Sequence, residues 1–142
     1  EGRSYREQYL AEWGAEVDRG RVHFLGRLAY ADYLRVLQIS SLHVYLTYPF
    51  VLSWSMLEAM SCGCVVVGSR TPPVEEVLQD GVNGRCVDFF SPAMLARTVA
   101  EVLDDPQRSA ELRANARRHI LDRYDLRSKC LPQQIALLES FG

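Results

Sequence analysis

Helical and extended patterns of hydrophobic residues alternate along this chain. Tyr5 to Trp13 and Tyr30 to Ile39 carry apolar residues near helical spacing, and Tyr30 to Ile39 is expected to lie against the sheet. Leu42 to Thr47 and Val65 to Val67 are short apolar runs rich in β-branched or aromatic side chains. Such alternation is typical of an α/β protein with a mainly parallel sheet. We therefore predict a parallel sheet flanked by helices.

Capping and turn residues predict further boundaries. Ser53 is suited to cap a helix that Gly63 ends, and Ser91 to cap one that runs to Leu103. The remaining predicted elements are strands at Val22 to Leu25 and Arg85 to Asp88, a helix at Val74 to Leu78, a basic helix at about Arg108 to Arg123, and a terminal helix at about Gln133 to Phe141. We interpret residues 1–142 as a single domain, with C-terminal helices from about residue 107.

Composition and charge exclude several classes of protein. The 142 residues are 48% hydrophobic, which is ordinary for a globular domain. A formal net charge of −2 gives no basic excess, so we expect no nucleic-acid partner, and membrane contact is not indicated. The four cysteines have no zinc-ligand spacing and are interpreted as reduced core residues. No signal peptide or membrane span is recognised, so a cytoplasmic protein is expected.

One carboxylate is isolated in an apolar region. Glu58 is the only formally charged residue between Arg35 and Arg70. A buried, unpaired carboxylate costs several kcal/mol, so such a group neutralises, finds an internal partner, or faces a cleft in which a ligand supplies donors. A glutamate on the wet side of a half-buried helix is an equally good interpretation of this residue alone.

The predicted turn before this helix is suited to a ligand. In doubly wound folds ligands bind where strands end and helices begin, and the first N–H groups of a helix favour an anion such as phosphate. Glu58 lies about 8 Å along the helix axis from Ser53 by helical rise. A carboxylate there suits a sugar diol better than a phosphate. The pattern therefore favours a nucleoside diphosphate, with its phosphates at the helix start and its ribose at Glu58.

The stretch from Arg21 to Phe90 resembles the C-terminal, donor-binding half of GT-B retaining glycosyltransferases of the group 1 type. The resemblance rests on the order and spacing of several motifs. They are Val22-His23-Phe24-Leu25-Gly26-Arg27-Leu28, Pro49-Phe50-Val51-Leu52-Ser53, Leu57-Glu58-Ala59-Met60-Ser61-Cys62-Gly63 with Val65-Val66-Val67, Pro73-Val74-Glu75-Glu76-Val77, and Asp80-Gly81-Val82-Asn83-Gly84.

This resemblance implies a Rossmann-like donor-binding domain that transfers a sugar from a UDP- or GDP-sugar with retention of configuration, usually without a bound metal or other cofactor. It implies that Glu58 holds the ribose hydroxyls and that the backbone N–H groups of Phe50, Val51 and Leu52, with Ser53, face the sugar and diphosphate. Gly26, Arg27 and Leu28 match the loop that borders the nucleobase in the family. The acceptor cannot be identified from these residues.

Two departures from the family pattern keep other interpretations open. The first acid of the paired-glutamate motif falls on Phe50, and the cations that stabilise the leaving diphosphate are not recognised before Val22. We therefore expect a fragment that lacks the N-terminal domain of the same polypeptide, without identifiable catalytic residues and inactive alone. The alternative is a noncatalytic α/β interaction module on the same fold, and a nucleotide-sugar epimerase is a third hypothesis.

Overall fold

The computed structural model describes residues 2–18, 20–48 and 51–141. In this part of the chain, three parallel strands form a sheet in the order β1-β2-β3. The strands are β1 (Leu42–Tyr45), β2 (Val65–Ser69) and β3 (Arg85–Val87). The helices are α1 (Tyr5–Trp13), α2 (Tyr30–Ile39), α3 (Trp54–Cys62), α4 (Pro72–Glu75), α5 (Pro92–Asp104), α6 (Pro106–Tyr124) and α7 (Leu131–Glu139), with a π-helical turn at Leu126–Cys130 between the last two.

The central strand β2 is buried on both faces. Val66 joins a cluster formed mainly by α2, α3 and α6, whereas Val65 and Val67 pack with residues of α5 on the other face. Leu42 pairs with Val65, and Val67 pairs with Arg85, so all three strands end at one edge of the sheet. The predicted α/β class with a parallel sheet is confirmed, because helices cover both faces of a continuous apolar strand.

Local sequence signals fix the ends of α3. The Ser53 side chain accepts a hydrogen bond from the Ser55 N–H, and Gly63 ends the helix with φ of 82°. A residue with a Cβ is strained at this φ, which is why glycine suits the position. The predicted cap and stop of this helix are therefore confirmed.

The predicted strand at Val22 to Leu25 is wrong. This segment belongs to none of the three strands, and Val22, Phe24 and Leu25 are exposed. It lies against α1 instead, where the Arg6 guanidinium stands 4.5 Å from the centre of the Phe24 ring. An apolar run becomes a strand only when a neighbouring strand pairs with its backbone, and this one pairs with none of the described strands.

Three arginines of α6 donate hydrogen bonds to backbone carbonyls outside this helix. Arg113 donates to the Ser41 carbonyl at 2.9 Å, Arg117 donates to the Ser61 carbonyl, and Arg108 donates to the Gly81 carbonyl. These bonds tie α6 to the last turn of α3 and to two loops beside the sheet.

The four cysteines are free thiols, of which Cys64 and Cys86 are buried and Cys62 and Cys130 half-buried. The expectation of core cysteines therefore holds for two of them. Burial raises the pKa of Cys86 to about 11.

Candidate functional site

Glu58 is half-buried and has an internal partner. It lies one turn into α3, and its Oε1 accepts a hydrogen bond of 2.8 Å from the hydroxyl of Tyr30 on α2. This bond stabilises the protonated phenol and so raises the pKa of Tyr30, and burial and the negative charge of Glu58 act in the same direction. The isolated carboxylate of Glu58 thus has a hydrogen-bond donor within the protein.

A pocket of about 590 Å³ opens beside this pair. Arg27, Leu28 and Ala29 line it from the loop before α2, and Tyr30 and Tyr33 line it from the helix itself. The chain enters the loop through Gly26, whose φ of 67° favours glycine. Two residues of the loop predicted to border a nucleobase therefore share a pocket with the tyrosine that binds Glu58.

Tyr33 approaches the same carboxylate from one helical turn further along α2. Its hydroxyl is buried and has no hydrogen-bond partner among the described residues. Burial, followed by the negative charge of Glu58, raises the pKa of Tyr33 to about 12. Both phenols therefore keep their protons at neutral pH. The spacing of Tyr30 and Tyr33 in the sequence did not indicate that they lie beside Glu58, because the same spacing fits core packing equally well.

The residues directly before α3 differ in exposure and in their contacts. Val51 is exposed, whereas the Leu52 side chain packs against the core. The Ser53 N–H donates to the Tyr45 hydroxyl at 2.8 Å, so this amide has a protein partner. Phe50 lies outside the described residues. The predicted contacts of these residues with a ligand stay predictions.

Aromatic side chains stand near the edge where the strands end. Tyr48 follows β1 and packs against Phe89 and Phe90, which follow β3, with ring centres 5.5 and 5.2 Å away. Trp54 at the start of α3 is 79% exposed, so its indole lies at the surface. Leu52 and Met56 contribute to the core in this region instead.

Arg70 supplies a cation directly after β2. Its guanidinium donates to Glu75 at 3.1 Å and to Asp80 at 2.9 Å, so its charge is shared with two carboxylates. Burial opposes ionisation of Asp80, but the Cys86 N–H and Arg70 outweigh it and hold the pKa of Asp80 below its usual value. Arg70 is not among the site residues predicted from the sequence, where its position directly after a buried strand is the signal that indicates it.

Two classes of feature are absent from the described ranges. Within residues 2–18, 20–48 and 51–141, no three His, Cys, Asp or Glu side chains are grouped as metal ligands. None of the helices in those ranges has the length and apolar character needed to span a membrane.

Solved structures share this fold. The crystal structure of Anabaena Alr3699/HepE in complex with UDP-glucose matches with a TM-score of 0.82 and 27% identity, over 96% of this chain and 36% of that one. The C-terminal domain of the group 1 family glycosyl transferase LpcC from Francisella tularensis matches with a TM-score of 0.67 and 19% identity, over 85% of this chain and 61% of that one. The fold is therefore that of GT-B C-terminal domains.

Proteins that are similar in sequence are also named as glycosyltransferases. A D-inositol 3-phosphate glycosyltransferase of Thermobispora bispora is 40% identical over 63 residues, which are 44% of this chain and 15% of that enzyme. A GDP-mannose-dependent mannosyltransferase of Mycolicibacterium smegmatis is 33% identical over 73 residues, 51% of this chain and 19% of that enzyme. The matches thus span less than a fifth of these relatives. The family model "Glycosyl transferases group 1" matches residues 3–119, and the chain therefore belongs to this family of glycosyltransferases.

Proposed function

We propose that this chain binds the nucleotide-activated donor of a retaining glycosyl transfer, a UDP- or GDP-sugar, with Glu58 holding the ribose hydroxyls. The observation that carries the proposal is the half-buried Glu58 carboxylate, which is bound by Tyr30 at the side of a pocket lined by Arg27 and Leu28. A nucleobase in that pocket has its ribose within reach of a carboxylate that accepts from two adjacent hydroxyls.

The relatives support both donor classes. The Anabaena protein was crystallised with UDP and with UDP-glucose, and the Mycolicibacterium enzyme is named for GDP-mannose. In this proposal the backbone N–H groups of Phe50, Val51 and Leu52, with Ser53, face the diphosphate and the sugar, while Gly26, Arg27 and Leu28 border the base.

The proposed assignment leaves acceptor binding and the catalytic cations to an N-terminal domain of the same polypeptide. The named relatives are several times longer than the matched segment, which supports this division. Residues 1–142 alone are then expected to bind donor without transferring its sugar, with neither metal nor organic cofactor required for binding.

Calorimetric titration tests donor binding. UDP, GDP, ADP, UDP-glucose and GDP-mannose are titrated into the wild-type protein and into Glu58→Gln. We expect one nucleotide class to bind and the variant to lose about tenfold to a hundredfold in affinity, because hydrogen bonds to a charged acceptor contribute about 1.5–3 kcal/mol. Glu139→Gln, which removes an exposed carboxylate on α7, is the matched control and should bind as the wild type does.

Binding of no nucleotide by the folded wild type would contradict the proposal and favour the noncatalytic interaction module. Equal affinities for wild type and Glu58→Gln would contradict the assignment of the ribose to Glu58.

A further inference from the structure

Glu58 lies beside two tyrosines of α2. Tyr30 and Tyr33 lie three residues apart on α2, with ring centres 6.2 Å apart, and both line the pocket. The exposed Tyr30 donates its hydroxyl to Glu58 at 2.8 Å, whereas Tyr33 is half-buried and its hydroxyl has no hydrogen-bond partner among the described residues. Tyr30 is therefore the tyrosine whose bond can orient the carboxylate.

The bond from Tyr30 restricts the carboxylate. It engages Oε1, while Oε2 accepts no hydrogen bond from the part of the chain that the structure describes. A free glutamate rotates about its terminal torsion, which is broad and roughly two-fold. A fixed donor on one oxygen selects one orientation and leaves the second oxygen available to a ligand. Ordering the carboxylate before the ligand arrives lowers the entropy that binding must overcome.

We propose that Tyr30 is a positioning residue for Glu58, holding Oε1 so that Oε2 is presented to the vicinal hydroxyls of the donor ribose. This inference rests on the proposed function, since it assigns a role to Tyr30 only if Glu58 binds the ribose. Tyr30 contacts the carboxylate and acts through it. Nothing in the family resemblance assigned a role to this tyrosine.

The effect of Tyr30 must depend on the ribose hydroxyls. Removing its hydroxyl frees the carboxylate to rotate, which weakens only ligands that bind the presented oxygen, Oε2. A nucleotide without the 2′ and 3′ hydroxyls should not sense the change. A merely structural role would weaken both kinds of nucleotide equally, so the comparison separates positioning from folding.

The experiment measures affinities for UDP, for GDP and for their 2′,3′-dideoxy counterparts by calorimetry with wild type, Tyr30→Phe and Tyr9→Phe. For the base that binds, Tyr30→Phe should weaken the ribonucleotide about fivefold and leave the dideoxynucleotide within about twofold. Tyr9→Phe removes the hydroxyl of an exposed tyrosine on α1 that does not line the pocket, so it should change neither affinity by more than about twofold. Tyr30 is 63% exposed, so Tyr30→Phe should fold, and its circular dichroism spectrum checks this.

The outcomes separate the two proposals. If wild type binds neither ribonucleotide, the proposed function and this inference both fail. If wild type binds and Tyr30→Phe is unchanged, or loses affinity equally for ribo- and dideoxynucleotides, the positioning role alone is refuted. An equal, ribose-dependent loss in Tyr9→Phe would also refute it, since the bond seen at Tyr30 would then have no special effect.

Discussion

Asn83 is buried in the loop between α4 and β3 and binds two backbone groups. Its Oδ1 accepts from the Gln79 N–H at 2.6 Å, and its Nδ2 donates to the Val77 carbonyl at 3.0 Å. Asn83→Ala leaves the buried Val77 carbonyl without a hydrogen bond, which costs about 1–3 kcal/mol. It also leaves the partly buried Gln79 N–H without one, which costs about 1 kcal/mol. We expect the free energy of unfolding to fall by about 2–4 kcal/mol.

Urea unfolding followed by circular dichroism measures this loss, provided that the m-value of the variant stays that of the wild type. Asn115→Ala is the control, because the two bonds of the Asn115 side chain are exposed: it donates to the Val82 carbonyl at 2.9 Å and accepts from Arg118 at 3.5 Å. It should cost no more than about 1 kcal/mol. A loss below about 1 kcal/mol in Asn83→Ala, or equal losses in the two variants, would refute the reasoning.

Asn83→Asp tests the two bonds separately. The aspartate still accepts from Gln79, but its ionised form cannot donate to the Val77 carbonyl, and burial raises the pKa of such a carboxyl in the folded state. A raised folded pKa means that stability is retained below the unfolded pKa of about 3.9 and lost as the pH rises through the folded value. The deficit relative to wild type should therefore shrink as the pH falls from 7 towards 4. A deficit that is constant across this range would contradict the assignment.

Two further predictions concern stability. A Cβ added to Gly84 would meet Leu78 Cδ1 at 2.4 Å and the Val66 carbonyl oxygen at 2.8 Å, so Gly84→Ala should lower the free energy of unfolding by about 1–3 kcal/mol. Gly2→Ala, with open space around it, is the control in the same urea titration, and equal midpoints for both variants would contradict the packing argument. Burial lowers the pKa of His43, so the folded protein binds fewer protons than the unfolded chain just below the unfolded pKa of about 6.5. Stability should therefore fall as the pH drops below that value, and His43→Gln should show a smaller fall in thermal midpoint between pH 7.5 and 5; parallel curves would argue against this.

Local patterns determined most of the elements. The Ser53 cap and the Gly63 stop of α3 are properties of a few neighbouring residues, and both are present. The run Val65 to Val67 indicated a strand covered on both faces, which β2 is. These predictions succeed because helix ends and buried parallel strands are encoded by nearest neighbours and by continuous hydrophobicity.

The strand prediction that failed required a partner elsewhere in the chain. Val22 to Leu25 has the composition of a strand, yet no described strand pairs with it. The deciding contact involves residues distant in sequence, which composition and periodicity do not report.

In the candidate site, too, some residues were indicated by the sequence and others only by the tertiary structure. The isolation of Glu58 among apolar residues was visible in the sequence and identified the carboxylate, and the resemblance supplied Arg27 and Leu28. Tyr30 was interpreted as part of an apolar helix face, because hydrophobic periodicity relates the side chains of one helix to each other and not to those of the next. Only the tertiary packing of α2 beside α3 decided that its hydroxyl reaches Glu58, since the donor and acceptor are 28 residues apart along the chain.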